Sequence, residues 1–85
     1  MNAHNSQINC ITGIQDKFFA TGAMKEIKIW KFFECLTVIQ NAHSNSVLCI
    51  KAFKIFNSSD RNLELILASG SKDKHLKFWD ISSIL

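Results

Sequence analysis

Apolar residues along the chain come in short runs that are separated by polar turns. In Ile27-Lys28-Ile29 apolar and charged side chains alternate, whereas Val47-Leu48-Cys49-Ile50 is apolar throughout. Alternation with a period of two is typical of a strand with one buried face, and a short continuous apolar run fits a strand that is buried on both faces. No proline interrupts these runs. The pattern predicts strands at about 7–12, 17–21, 26–31, 35–40, 46–53, 64–69 and 75–80.

The two halves of the chain share the same order of short motifs. The triplet Asn2-Ala3-His4 returns as Asn41-Ala42-His43, and a β-branched residue follows each histidine at the same distance, Ile8 in one half and Val47 in the other. Two more pairs of matching segments follow in the same order, 18–22 with 65–70 and 26–31 with 75–80. Self-similarity with a period of about 40 residues is the signature of a stacked repeat architecture.

The second copy of the repeat is longer than the first. Its extra residues fall in the stretch 54–62, whose Asn, Ser and Asp content predicts an enlarged surface loop. The repeat pattern then predicts two units, residues 1–41 with all four strands and residues 42–85, which stop before their fourth strand.

The second unit resembles the WD-repeat family, whose members fold as a ring of four-stranded β-blades. Ala42-His43 stands where the family usually has Gly-His, the segment 67–73 matches the second strand with its turn, and the segment 76–80 matches the third strand with its Trp-Asp ending. The first unit is similar but ends in Trp30-Lys31. The resemblance implies an all-β fold of antiparallel four-stranded propeller blades, with about one and three-quarter blades of an incomplete β-propeller.

An incomplete ring has consequences for the isolated chain. Because the pattern stops within a blade, we expect a fragment, a truncated gene model or a unit that is completed by further WD blades in cis or in trans. Two blades with bare outer faces bury little surface for the entropy they lose, so we expect the isolated chain to be partly unfolded, aggregating or oligomeric.

The resemblance also implies a buried hydrogen-bonded network in each repeat, made by a His, a Ser or Thr, an Asp and the Trp. The matching residues in the second unit are His43, Ser69, Asp73 and Trp79. An indole N–H can only donate, a hydroxyl can donate and accept, and an imidazole can pass the chain on to a carboxylate. The first unit has His4, Thr21 and Trp30 but no Asp in its shorter turn, so its network is expected to be incomplete.

Catalytic and metal-binding interpretations of the same residues are less favoured. Ser69, His43 and Asp73 are the residue types of a hydrolytic triad, but no Gly-x-Ser-x-Gly elbow surrounds Ser69. The three histidines and three cysteines show none of the paired spacings that bind zinc, and the glycines form no phosphate-binding loop. We therefore predict no catalytic residue, no metal site and no cofactor.

Composition narrows the class of protein. The chain has 85 residues, 47% of them hydrophobic and 20% charged, as in an ordinary soluble domain. Its net charge of +3 comes from lysines spread singly along the chain, which does not favour nucleic-acid binding. The odd number of cysteines, which lie within apolar runs, favours a reducing compartment, cytoplasmic or nuclear. We see no secretory signal and no apolar run long enough to span a bilayer.

The family resemblance implies that the chain is a non-catalytic scaffold for other proteins or peptides. Contacts in such rings often come from the fifth residue after the His and from the residue before the Asp. The candidate contact residues are Leu48, Lys72, Ser46, Asn9 and Gln7. Two alternatives stay open: that these are ordinary exposed side chains, and that the basic loops bind RNA or anionic lipid, which steep salt dependence would reveal.

Overall fold

A computed structural model of the chain describes residues 7–57 and 62–84, and it is built from antiparallel strands. The strands are β1 (Cys10–Gln15), β2 (Phe18–Gly22), β3 (Ile27–Lys31), β4 (Glu34–Ile39), β5 (Val47–Asn57), β6 (Asn62–Ser71) and β7 (Leu76–Asp80). The first sheet has the order β1-β2-β3-β4 and the second sheet has the order β5-β6-β7. Within each sheet, every strand therefore pairs with its neighbours in sequence. The predicted all-β fold of propeller blades is confirmed.

The first strand begins later than the sequence pattern predicts. The pattern predicts it at 7–12, but the ladder with β2 starts at Cys10 and continues past Gly13 to Gln15. A register shift between Gly13 and Gln15 lets the chain bend there without ending the strand. The glycine therefore marks a bulge within the strand and not its end.

The prediction of an enlarged loop at 54–62 is wrong for most of that stretch. The ladder between β5 and β6 continues from Lys54 and Leu65 outward to Asn57 and Asn62, so the insertion lengthens a hairpin. Ile, Phe and Leu are good strand formers, and they flank the polar residues on both sides, which explains why pairing continues. Residues 58–61 lie outside the described part of the chain.

The hydrophobic core lies between the two sheets. Its buried members are Ala20, Ile27, Ile29, Ala42, Val47, Ile50, Leu67 and Ile81. Side chains two residues apart on a strand share one face, so Ile27 and Ile29 project together from β3 toward the second sheet. Each sheet thus contributes one apolar face to a shared interface.

Backbone hydrogen bonds also join the two sheets at the ends of their strands. The Val47 amide donates to the Ala23 carbonyl over 2.9 Å, and the Ala42 amide donates to the Lys25 carbonyl over 2.8 Å. The turn between β2 and β3 is therefore fixed to the segment that enters β5. The β2–β3 turn and the β6–β7 turn, which lie beside this junction, carry residues of the candidate site.

Candidate functional site

Four of the predicted network residues lie in one hydrogen-bonded chain in the second sheet. His43 precedes β5, Ser69 lies in β6, Asp73 lies in the β6–β7 turn, and Trp79 lies in β7. His43 Nδ1 lies 3.0 Å from Asp73 Oδ2, and His43 Nε2 lies 2.8 Å from Ser69 Oγ. The Trp79 indole donates to the same Ser69 Oγ over 2.9 Å. His43 and Ser69 are buried, and the Asp73 side chain is almost covered.

The two end residues of this chain of hydrogen bonds determine which atoms in it carry the hydrogens. The Asp73 carboxylate only accepts and the indole of Trp79 only donates. His43 therefore donates from Nδ1–H to Asp73, and in a neutral imidazole its Nε2 accepts the hydroxyl hydrogen of Ser69, which in turn accepts from the indole. Within the described part of the chain, no buried side-chain nitrogen or oxygen lacks a partner. The network is therefore fully satisfied.

Backbone amides hold the Asp73 carboxylate in place. Oδ2 accepts the amide of Ser44 over 3.0 Å, and Oδ1 accepts the amide of His75 over 2.9 Å. The amide of Asp73 itself donates to Ser71 Oγ over 3.2 Å. Burial acts to raise the pKa of Asp73, but the hydrogen bonds from His75, Ser44 and His43 outweigh it and hold the pKa well below its usual range.

This depressed pKa predicts a loss of stability in acid. The ionised carboxylate is favoured in the folded state, so its contribution is fully present above the unfolded pKa of about 4 and is lost as the pH falls toward the lower folded value. Urea unfolding between about pH 6 and pH 3 should show a shallower decline of the unfolding free energy for Asp73→Asn than for the wild type. Parallel declines for the two proteins would contradict this assignment.

The first sheet contains a smaller version of the same arrangement. The Trp30 indole donates to Thr21 Oγ1 over 3.0 Å, and both residues are buried. The ring of Trp30 also stacks on Phe19, with centroids 6.1 Å apart. His4, the third residue predicted for this network, lies outside the described residues. The turn at 23–26 has no Asp, and the carboxylate that it does contain is that of Glu26.

Ser69, His43 and Asp73 are hydrogen-bonded in the order of a hydrolytic triad. A serine nucleophile must reach the carbonyl carbon of a substrate, yet the Ser69 side chain is fully buried. Its oxygen is also occupied, since it accepts from Trp79 and donates to His43. This geometry favours a structural link between strands over a nucleophile.

Neither a metal-binding cluster nor a membrane-spanning helix is found among the described residues. Across residues 7–57 and 62–84, no three His, Cys, Asp or Glu side chains gather closely enough to hold a metal, and no helix could cross a bilayer. The three cysteines are free. Burial raises the pKa of Cys10, with a further contribution from Cys49, so the Cys10 thiol stays protonated and packs as an apolar group.

Most of the predicted contact residues surround one surface depression. A cavity of about 200 Å³ is lined by Gln7, Asn9, Met24, Ser46 and Lys72. Ser46 lies between the two turns there, because its carbonyl accepts the Lys72 amide over 3.1 Å and its hydroxyl donates to the Met24 sulfur over 3.8 Å. Leu48 does not line this depression and is exposed at the start of β5.

Met24 is a lining residue that sequence reasoning missed. It is exposed, and it forms an isolated bridge with Ser46 that connects the two sheets. Met24 follows Gly22 at the same distance at which Lys72 follows Gly70. The alignment of the two repeats therefore carried the signal for this position.

A second depression lies beside the buried network. Its volume is about 340 Å³, and its lining residues are Lys25, Asn41, His43, Ser44, Asp73, His75 and Lys77. The Lys77 ammonium donates to the Ala42 carbonyl over 2.8 Å, so this cation helps to hold the segment before β5 against β7. The charges around this depression are mixed, since Asp73 lies among the cations.

Comparison with known proteins places this geometry in a family. The family model described as "WD domain, G-beta repeat" matches residues 33–80, more than half of the chain. The chain belongs to the WD-repeat family. The matched WD repeat begins at the turn before β4 and ends with β7, so it joins the edge strand of the first sheet to the three strands of the second.

Three curated relatives of this WD-repeat chain are described as "Probable E3 ubiquitin ligase complex SCF subunit sconB". The protein from Arthroderma benhamiae is 39% identical over 54 residues, which is 64% of this chain and 7% of that protein. Those from Trichophyton verrucosum and Arthroderma otae are also 39% identical over 54 residues, with 7% and 6% of their lengths covered. The chain thus spans less than a tenth of these relatives. No solved structure matches it.

Proposed function

We propose that this WD-repeat chain is part of a non-catalytic scaffold that binds other proteins or peptides. The observation behind the proposal is the depression lined by Gln7, Asn9, Met24, Ser46 and Lys72. Side chains from both sheets converge there, and concave sites with a few converging polar groups are where proteins commonly bind ligands. The relatives are named as subunits of a complex, which agrees with a binding role.

The buried network explains how this depression keeps its shape. Asp73 ties the turn that carries Lys72 to the segment of His43 and Ser44. The Ser71 hydroxyl adds a second tie, because it donates to the carbonyl of Ser46 over 2.7 Å. Two walls of the depression are therefore fixed to one another before a partner arrives, and preorganisation of this kind lowers the entropic cost of binding.

The surface chemistry favours a peptide over a polyanion. Among the described residues, the lining of the depression has one lysine and otherwise uncharged side chains, whereas phosphate backbones are bound by several cations together. We also propose that further WD blades, in cis or in trans, extend this scaffold. An intracellular location fits the three free thiols, because reducing compartments preserve them.

Selection of peptides from a displayed random library tests the proposal. The strongest selected peptide, labelled with a fluorophore, is titrated with the wild-type chain and with Asn9→Ala and Lys72→Ala. We expect each substitution to weaken binding by about tenfold, because both side chains line the depression.

Phe33→Ala is the matched control for a general loss of binding. Phe33 is exposed in the β3–β4 turn, at the opposite end of the first sheet, so its removal should leave the affinity unchanged. Binding that survives the loss of both Asn9 and Lys72 would refute the assignment. Affinity that falls steeply with salt would instead support the polyanion alternative.

A further inference from the structure

The outward face of the second sheet is equivalent, position by position, to the face of the first sheet that packs against the second sheet. The strand registers align these positions one to one: Ala20, Gly22, Ile27 and Ile29 in the first sheet correspond to Ala68, Gly70, Leu76 and Phe78 in the second. Ile27 and Ile29 have no exposed surface, because the second sheet covers them. Leu76 and Phe78 are 64% and 62% exposed. We call the four positions of the second sheet the open face.

One residue shows what covers the equivalent face in the first sheet. A methyl group on Gly22 would lie 2.7 Å from Cys10 Sγ and 2.9 Å from Val47 Cγ1, so Val47 fills the space above this glycine. A methyl group on Gly70 would meet Cys49 Sγ at 3.0 Å and no other described atom within 4 Å. The position that Val47 occupies over the first sheet is therefore open over the second.

The first sheet carries a matching surface on its far side. In the repeat alignment Ile8 takes the place of Val47, and Ile11 takes the place of Ile50. Val47 and Ile50 are buried between the sheets, whereas Ile8 and Ile11 are 44% and 66% exposed. Both Ile11 and Ile50 pair with the hydroxyl residue that accepts a hydrogen bond from the tryptophan of its own sheet. We call the surface formed by Ile8 and Ile11 the docking edge.

We propose that a second copy of this chain binds the open face with its docking edge, and so repeats between chains the contact that joins the two sheets within one chain. Ile8 of the second copy then lies over Gly70, as Val47 lies over Gly22. Ile11 of the second copy joins Leu76 and Phe78 in an apolar cluster. Ile50 belongs in the same way to the buried cluster that contains Ile27 and Ile29. Because the two surfaces differ, the contact is heterologous and copies add head to tail.

Variants with one surface blocked test this arrangement. Phe78→Asp places a charge on the open face and leaves the docking edge intact, whereas Ile11→Asp does the reverse. By size-exclusion chromatography with light scattering, we expect the wild-type chain to form species heavier than a dimer. Each variant alone should elute as the single 9.7 kDa chain. An equimolar mixture of the two variants should form a dimer, because one intact surface of each kind remains.

The mixture also controls for misfolding, since a variant that fails to fold could not restore the dimer. Leu76→Ser gives a milder block of the open face and should pair with Ile11→Asp in the same way. Phe33→Asp, which alters an exposed aromatic residue away from both surfaces, should assemble as the wild type does.

Two results would overturn the proposal. A folded wild-type monomer at about 100 µM would mean that a second copy does not bind the open face. The open face would then be covered by a blade from another polypeptide or from elsewhere in a longer one. Dimers of Phe78→Asp alone would show that the copies meet through a different surface.

Discussion

Replacing Ser69 with alanine is expected to lower the free energy of unfolding of the WD-repeat chain by about 2–4 kcal/mol. The substitution removes one oxygen, which accepts from the Trp79 indole over 2.9 Å and donates to His43 Nε2 over 2.8 Å. Both partners remain in place after the change, and His43 is buried. A buried polar group without a partner costs about 1–3 kcal/mol, and the Trp79 indole is only partly buried, so the two groups together give a loss of about 2–4 kcal/mol. Urea unfolding followed by tryptophan fluorescence at a fixed protein concentration measures it.

Ser44→Ala provides the control for this measurement. Ser44 is exposed and contributes to the network through its backbone amide, which the substitution keeps. Its unfolding free energy should stay within about 0.5 kcal/mol of the wild type. If the two alanine variants lose the same amount, the hydrogen-bonded chain does not stabilise the fold.

A double-mutant cycle separates the Trp79 link from the His43 link. Trp79→Phe removes the indole donor and keeps an aromatic ring, so the combined Ser69→Ala and Trp79→Phe protein leaves the imidazole alone without its partner. The combined loss should then be smaller than the sum of the two single losses. Additive losses would mean that the 2.9 Å contact between indole and hydroxyl contributes nothing measurable.

The strands could be predicted from the sequence because they follow local pattern, whereas the buried network was implied by the resemblance to WD repeats. The periodicity of apolar residues located the strands, and the resemblance to WD repeats implied the network of His43, Ser69, Asp73 and Trp79, which the structure joins by hydrogen bonds. Such groups must be paired when they are buried, so their residue types carry information about their partners. The boundary predicted between residues 41 and 42 stays a prediction.

Features that depend on contacts between distant residues could not be predicted in the same way. The polar residues within 54–62 predicted a loop, but pairing of the flanking apolar residues extends the hairpin to Asn57 and Asn62. Met24 entered the candidate site through its bridge to Ser46, which belongs to the contact between sheets. Composition within one segment does not report which backbone groups find partners in another.

The exposure of the open face is another feature that the sequence of one strand does not predict. Leu76 and Phe78 fall at strand positions that suit a buried apolar residue, and their equivalents Ile27 and Ile29 are buried. Whether such a residue is covered depends on the neighbouring sheet and not on its own strand. Repeat architectures make this visible, because each unit buries its apolar face only when another unit stacks on it.

Leu67→Ala is expected to have the largest effect of the substitutions considered for this chain, a loss of about 2–5 kcal/mol in the free energy of unfolding. Leu67 lies in β6, the central strand of the second sheet, and its side chain is fully buried in the cluster between the sheets. Truncation removes apolar contacts and leaves a cavity, because a strand that is paired on both sides cannot move inward to fill it.

Leu48→Ala makes the same chemical change at an exposed position. Leu48 is half exposed and lies outside the buried cluster, so its truncation should cost less than about 1 kcal/mol. The two variants should differ in their urea midpoints while the dependence of unfolding free energy on urea stays unchanged, since the surface exposed on unfolding is nearly the same. Equal losses at Leu67 and Leu48 would mean that the two sheets do not pack through this face in solution. A larger loss at Leu67 would show that each sheet depends on the other for its stability, as expected when blades share one core.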